Sequence, residues 1–287
     1  MEIFNTREET IVLENEYRQS FNALDKIIKI QNRIINSNCR KIIIDITNTK
    51  HIAPAFMVLI GTLPELRGIA SKRVIIRYSK DNEKMMKKLS NHGVLQYYDA
   101  STSSPKNKSI PFCRIKSLEE SQTIVKQILD CAPVQLSDKA QDTIQSRLYE
   151  IFINAETHGK NEVGTFCNGT SDINRRQFIF SIYDCGVGIK KNVNDFLGKQ
   201  LSSLDAINWA LTNGNSTSVT DFPRGAGFTL LEKFINLNHG SIMLCSDNIV
   251  CKLEKDTRKF FNLSKNIQGT LFIMNITSDK EYTYIVK

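Results

Sequence analysis

Glu150 and Asn154 stand one helical turn apart in the stretch EIFINAETHG, 150–159. That spacing puts both on one stripe of a helix, about 40° apart around its axis, with His158 a further turn along. An amide oxygen suits Mg2+, a hard cation that takes few protein ligands and keeps several waters. A carboxylate one turn away can accept a proton from an attacking water when held within hydrogen-bond reach. Asn154 is therefore the candidate metal ligand and Glu150 the candidate catalytic base. The plain alternative for this stripe is a solvated polar face, and His158 beside Gly159 reads as a cap stabilised by the helix dipole.

Further along, YDCGVGI (183–189) follows an apolar strand pattern. Asp184 emerges at the strand end, where Gly186 and Gly188 let the backbone bend and a flat ligand approach closely. A carboxylate there can accept a hydrogen bond from an exocyclic amine such as that of adenine, although DxGxG also occurs as an ordinary strand-end turn. NGNSTS (213–218) offers Asn215, Ser216 and Thr217 as donors, and PRGAGFTLLEKFI (223–235) follows. Backbone amides at a glycine-rich helix start, here Gly225 and Gly227, form an anion site. Arg224 adds a cation suited to phosphate oxygens. The full GxxxxGK[ST] pattern is missing, so a P-loop is excluded. A metal-binding helix, an amine acceptor and a phosphate turn, in that order, compose one nucleotide site.

The elements that must position these residues fall on either side of ASTSSPKNKSIP (100–111), a Ser-, Lys- and Pro-rich stretch that reads as a linker. Before it, KIIIDIT and RVIIRY read as strands, AFMVLIGTLPEL (55–66) and DNEKMMKKLSNHG (81–93) as helices, and VLQYYD as a further strand. After it, a helix over 118–132 is followed by a second from Asp138 to about His158, capped by Ser137. The second buries Ala140, Ile144, Leu148, Ile151, Phe152 and Ala155 along one side. Strands at 164–170 and 177–184, a loop-rich region, a helix at 225–238 and strands SIMLCS and GTLFIMNI complete the pattern. The expected class is α+β, with helices on one face of a mostly antiparallel sheet.

Composition narrows the setting. With 287 residues, 41% apolar and 24% charged, the chain can bury a sizeable core without metals or disulfides. Seven cysteines without a CxxC pair fit reduced thiols, and the acidic N-terminal stretch does not read as a secretory signal. A soluble, cytoplasmic protein without a membrane span is expected. The net charge of +8 comes from basic residues scattered beside acids, which favours an acidic ligand over nucleic acid.

Taken together, these motifs resemble the GHKL superfamily of gyrase-type topoisomerases, the large heat-shock chaperone, mismatch-repair ATPases and sensor histidine kinases. ExxxNAxxHG (Glu150, Asn154, Ala155, His158, Gly159) is similar to the family's N box, YDCGVGI to its first glycine box and RGAGFTLL to its second. GTLFIMNI is similar to its closing strand, where Thr270 would support the adenine contact. The resemblance covers roughly 140–276. It implies a Bergerat-type ATP-binding sandwich over 106–287, with ATP and Mg2+ as cofactors, Asp184 on the adenine amino group, Asn154 on the metal and residues 190–223 as a lid. The first half, 1–105, more faintly resembles the STAS α/β modules of anti-sigma-factor antagonists in KIIIDITNTKHIAPAFMVLIGTL. Those antagonists carry a phosphorylatable hydroxyl at a helix start, where this chain reads HIAPAF, so a docking or lid-sensing role is expected of this half.

The implied function is Mg2+-dependent ATP binding and slow hydrolysis, a nucleotide-controlled switch for a regulatory partner protein. A serine/threonine kinase of the anti-sigma-factor type and a non-hydrolysing ATP sensor are the alternatives. Histidine autokinase is disfavoured, because the helix at 118–132 contains no histidine, while His51 and His92 sit in turn and cap positions.

Overall fold

The structure is a computed structural model and describes residues 8–70, 72–101, 109–132, 135–158, 163–172, 176–217, 227–237, 239–277 and 283–284. The chain starts with β1 (Glu8–Val12), β2 (Glu16–Tyr17), α1 (Phe21–Asn36), β3 (Lys41–Asp45) and β4 (His51–Ile52). It continues through α2 (Met57–Thr62), α3 (Arg67–Ala70), β5 (Arg73–Arg77), α4 (Glu83–Asn91) and α5 (Val94–Tyr98). Then come β6 (Ser109–Ile115), α6 (Leu118–Cys131), β7 (Gln135–Leu136), α7 (Asp138–His158), β8 (Thr165–Asp172) and β9 (Gln177–Asp184). The last elements are α8 (Gly188–Leu197), α9 (Ser203–Ala210), α10 (Gly227–Leu237), β10 (Ser241–Glu254), β11 (Thr257–Thr277) and β12 (Thr283–Tyr284). No helix among the described residues is long and apolar enough to cross a membrane.

Among the described residues, β1, β3 and β5 form a parallel sheet with β3 in the middle, as the β-branched run of β3 requires. β10, β11, β9, β8 and β6 form a five-stranded antiparallel sheet in that order. β9 lies inside this sheet, so both of its faces are covered. Phe178, Phe180 and Ile182 join the core beneath α6, α7 and α10, whereas Ile179 and Tyr183 join the core shared with the N-terminal elements. Period-two alternation then sends Asp184 toward the helices.

The covering of the second face is the largest departure from expectation. α1, which the sequence reading passed over, starts at an N-cap where Ser20 accepts from the Ala23 amide at 3.2 Å. It buries Leu24, Ile27, Ile28 and Ile34 against the sheet's far side, at about 1.5–3 kcal/mol for each aliphatic side chain. Phe21 stacks on Phe261 of β11 with ring centroids 3.8 Å apart. The buried Gln31 closes a polar triangle here. Its Nε2 donates to the Tyr183 hydroxyl at 2.6 Å, that hydroxyl donates to the Gln268 carbonyl at 2.5 Å, and the Gln268 amide donates back to Gln31 Oε1 at 2.8 Å. Gln31→Ala leaves the Gln268 amide without its acceptor and should lower the unfolding free energy by about 2 kcal/mol, read from urea denaturation.

Three local readings are corrected. The helix expected over 55–66 is broken: tight 3-10 turns at Pro54–Phe56 and Leu63–Leu66 flank the six-residue α2, because Pro64 cannot donate to the helical ladder. VLQYYD is helix α5 and not a strand. Val94, Leu95, Tyr97 and Tyr98 recur at helical spacing, and Tyr97 packs edge-on against Phe112 at 4.9 Å. The linker is shorter than 100–111, since Ser109 already pairs with Thr170 as the start of β6. His92 is structural, as its position suggested: it is buried, its Nδ1 lies 3.0 Å from Asn168 Oδ1, and burial lowers its pKa to about 4, so the ring is neutral.

Candidate functional site

α7 is the helix the sequence describes. Ser137 Oγ accepts from the Ala140 amide at 3.3 Å, and Ala140, Ile144, Leu148, Phe152 and Ala155 are buried. Ile151 is half-buried: it packs against that core and also lines a cavity of about 210 Å3 between α7, the sheet and α8–α9. The cavity floor is the helix-side face of the sheet: Ile182 of β9, Leu244 of β10 and Phe272 of β11. Ile189 and Val193 of α8, with Trp209 of α9 and Leu211 just after it, supply apolar walls.

Seven of the expected site residues meet in this cavity: Glu150, Asn154, Asp184, Asn215, Ser216, Thr217 and Thr270. Asp184 is 6% exposed, whereas Asn154 stands at the exposed end of the helix stripe. Thr270 is the cross-strand partner of Asp184 between β11 and β9. Its hydroxyl and amide both donate toward the Asp184 carboxylate, and the Gly186 amide donates to Asp184 Oδ1 at 2.9 Å. Burial outweighs these donors and raises the Asp184 pKa from an ordinary 3.8 to about 7.

Gly186 and Gly188 do not line the cavity. They act from behind, Gly186 through its amide and Gly188 by turning the chain with φ +80 into α8, where an added Cβ would lie 3.0 Å from Ser246 Oγ. Ser246, fully buried, then accepts from the Ile189 amide at 2.8 Å and so caps α8. Gly269 was not singled out by sequence, yet its constraint is the tightest at the site. At φ +83, a Cβ there would sit 2.0 Å from the Asp184 carbonyl oxygen. Gly269→Ala should cost about 3 kcal/mol of stability from positive φ and overpacking combined, measurable as a fall in the urea midpoint.

The loop-rich stretch expected after Asp184 is largely helical. α8 (Gly188–Leu197) and α9 (Ser203–Ala210) take up most of it, since Ile189, Val193, Ala206 and Ile207 pack inward and Ser202 caps α9 on the Asp205 amide at 3.1 Å. One Asn215 donor is already used: its Nδ2 donates to the Trp209 carbonyl at 2.9 Å, closing the turn after α9. Arg224 and Gly225 lie outside the described residues, and Gly227 is the first residue of α10.

Two charged or amide side chains in the lining were not among the expected site residues. Asn192 of α8 and Arg147 of α7 both face the cavity, and Arg147 Nη1 donates to Glu150 Oε2 at 3.3 Å. The Arg147 Nε is buried without an acceptor. Its position one turn before Glu150 was the available signal, on the same stripe as Asn154.

No protein-family model and no curated protein sequence matches the chain. Among solved structures, it aligns with the topoisomerase IV ATP-binding domain of Francisella tularensis, determined in complex with a small-molecule inhibitor. The TM-score is 0.30 and the identity 12%, over 62% of this chain and 44% of that one, so this chain spans less than half of its length. At that TM-score the match by itself assigns neither fold nor activity.

Proposed function

We propose that the cavity binds ATP with Mg2+ and hydrolyses it slowly, and that nucleotide occupancy controls contacts with a partner protein. The observation that carries this reading is the placement of Asp184. A buried carboxylate surrounded by donors, at the end of an inner strand, faces an apolar slot floored by Ile182, Leu244 and Phe272. Such a slot suits a flat heteroaromatic ring, and the carboxylate suits its exocyclic amine. The volume is below the ~300–1,000 Å3 of drug-sized pockets. It fits the purine end of the nucleotide, with the phosphates running outward toward Asn154 and α10.

The donor set fits the two ionic parts of such a ligand. Arg147 has a buried N–H without an acceptor, which an anionic oxygen would satisfy. Among the described residues, no group of three or more His, Cys, Asp or Glu side chains could hold a metal. This agrees with Mg2+ held by one amide oxygen, water and phosphates, the pattern Asn154 would support. When bound, the ion would neutralise phosphate charge. Glu150 would accept the proton of the attacking water, with Arg147 holding the carboxylate in place.

The switch reading also has a physical route. Gln268 Nε2 donates to the Gly186 carbonyl at 2.7 Å, and the Gln268 backbone is held by Gln31 of α1 and by Tyr183. A shift of the glycine turn on nucleotide binding would therefore reach α1 through hydrogen bonds. We assign residues 1–105 as the partner-facing unit and 106–287 as the nucleotide-binding unit. Incubation with γ-labelled ATP and Mg2+ tests the activity: free phosphate is the expected product. Label on a protein would assign phosphoryl transfer instead, and intact ATP would reduce the function to sensing.

A further inference from the structure

Cys113 on β6 and Cys167 on β8 are direct register partners in the antiparallel sheet, and their sulfurs lie 3.5 Å apart. Opposed residues of antiparallel strands hold their Cα atoms about 4.5–5.5 Å apart, within the span a disulfide bridges. Cys167 is fully buried, whereas Cys113 lies on the edge strand of the sheet and is half-buried. Cys113 is thus the more accessible of the two thiols, with Cys167 beside it across the strand pair.

We propose that Cys113 and Cys167 form a redox pair that a small peroxide converts to a cross-strand disulfide. The Cys113 thiolate attacks one peroxide oxygen, the O–O bond breaks, and hydroxide leaves, which yields a sulfenic acid on Cys113. The Cys167 sulfur then attacks the Cys113 sulfur, the S–O bond breaks, and water departs with the Cys167 proton. In sum, two thiols and one hydrogen peroxide give one disulfide and two waters; both sulfurs are oxidised and both peroxide oxygens reduced.

The local chemistry agrees with this division of roles. The contact between the two sulfurs holds Cys113 below an ordinary thiol's pKa, whereas that same contact and then burial push Cys167 up. The new bond would fix β6, the edge strand, beside the register shift between Ile110 and Cys113. It would also close a loop between positions 54 residues apart.

The test treats the full chain with hydrogen peroxide, alkylates the remaining thiols, digests without reductant and maps the peptides by mass spectrometry. The expected product is a Cys113–Cys167 linked peptide, two hydrogens lighter than the reduced pair, cleaved by dithiothreitol and abolished in Cys113→Ser. Cys39→Ser, altered at another half-buried thiol, should leave the link intact. Oxidation should also raise the thermal midpoint by several degrees in the parent chain and not in Cys113→Ser. In Cys167→Ala, dimedone should trap the sulfenic acid on Cys113. Alkylation of both thiols, links among other cysteines, or failure of dimedone to label Cys113 would overturn the proposal.

Discussion

Asp184→Asn is expected to weaken ATP binding by about a hundredfold or more, the cost of losing a hydrogen bond to a charged acceptor and leaving donors unpaired. The reason lies in what surrounds the carboxylate. Gly186 offers an N–H, Thr270 offers a hydroxyl and an amide, and the adenine amine would offer another N–H. A carboxylate can accept from all of them, because both oxygens carry free lone pairs. An amide cannot, since either orientation turns its NH2 group against a donor. The substitution keeps shape and volume, so the fold should persist and the loss should appear in calorimetric titration.

The same carboxylate sets a pH dependence. With its pKa raised to about 7, Asp184 contributes to folded stability most fully below an ordinary aspartate's 3.8, and that contribution is lost as pH rises through about 7. Binding runs the opposite way, because the ionised form accepts the amine. Affinity should fall about tenfold per pH unit below 7 and level off above it. Asp184→Asn should flatten the profile; a parent protein whose affinity is level between pH 5 and 8 would remove the ionised carboxylate from the contact.

The second large effect is expected at Glu150. Glu150→Ala should bind ATP within a few-fold of the parent and release phosphate about 10²–10⁴ times more slowly, the usual contribution of a positioned general base. Its carboxylate lines the cavity and is held by Arg147 one turn earlier, a part-exposed pair worth only about 0.2–0.5 kcal/mol to the helix. The helix should therefore survive the change. Unaltered phosphate release would move the base elsewhere, and lost binding would make Glu150 a ligand contact.

How much of this was legible depended on whether the deciding interactions were local. The stripe on α7 was readable because four-residue spacing fixes relative direction along one helix, and Ser137 marks its start. Asp184 was readable because an apolar run ending in Asp and two glycines exposes its own geometry. The groups packed behind the glycine turn were harder to foresee. Gly269 lies against the Asp184 carbonyl and Ser246 takes the Ile189 amide, each from another strand, and no spacing within their own segments announces that. α8 and α9 were missed because each is short, ten and eight residues, and their caps, Gly198 and Ser202, sit in a stretch rich in turn formers. α1 carried a clear amphipathic pattern that went unread, and with it the covering of the sheet's second face. VLQYYD misled because a short apolar run fits strand and helix alike.

The central claim is that a purine, a magnesium ion and phosphates share the cavity between α7 and the sheet. A crystal structure of the full chain with Mg2+ and a non-hydrolysable ATP analogue tests it directly. The account predicts the adenine amine against Asp184, the ring over Ile182 and Phe272, and the ion on Asn154. An analogue bound elsewhere, or a cavity without nucleotide at saturating concentration, would contradict it.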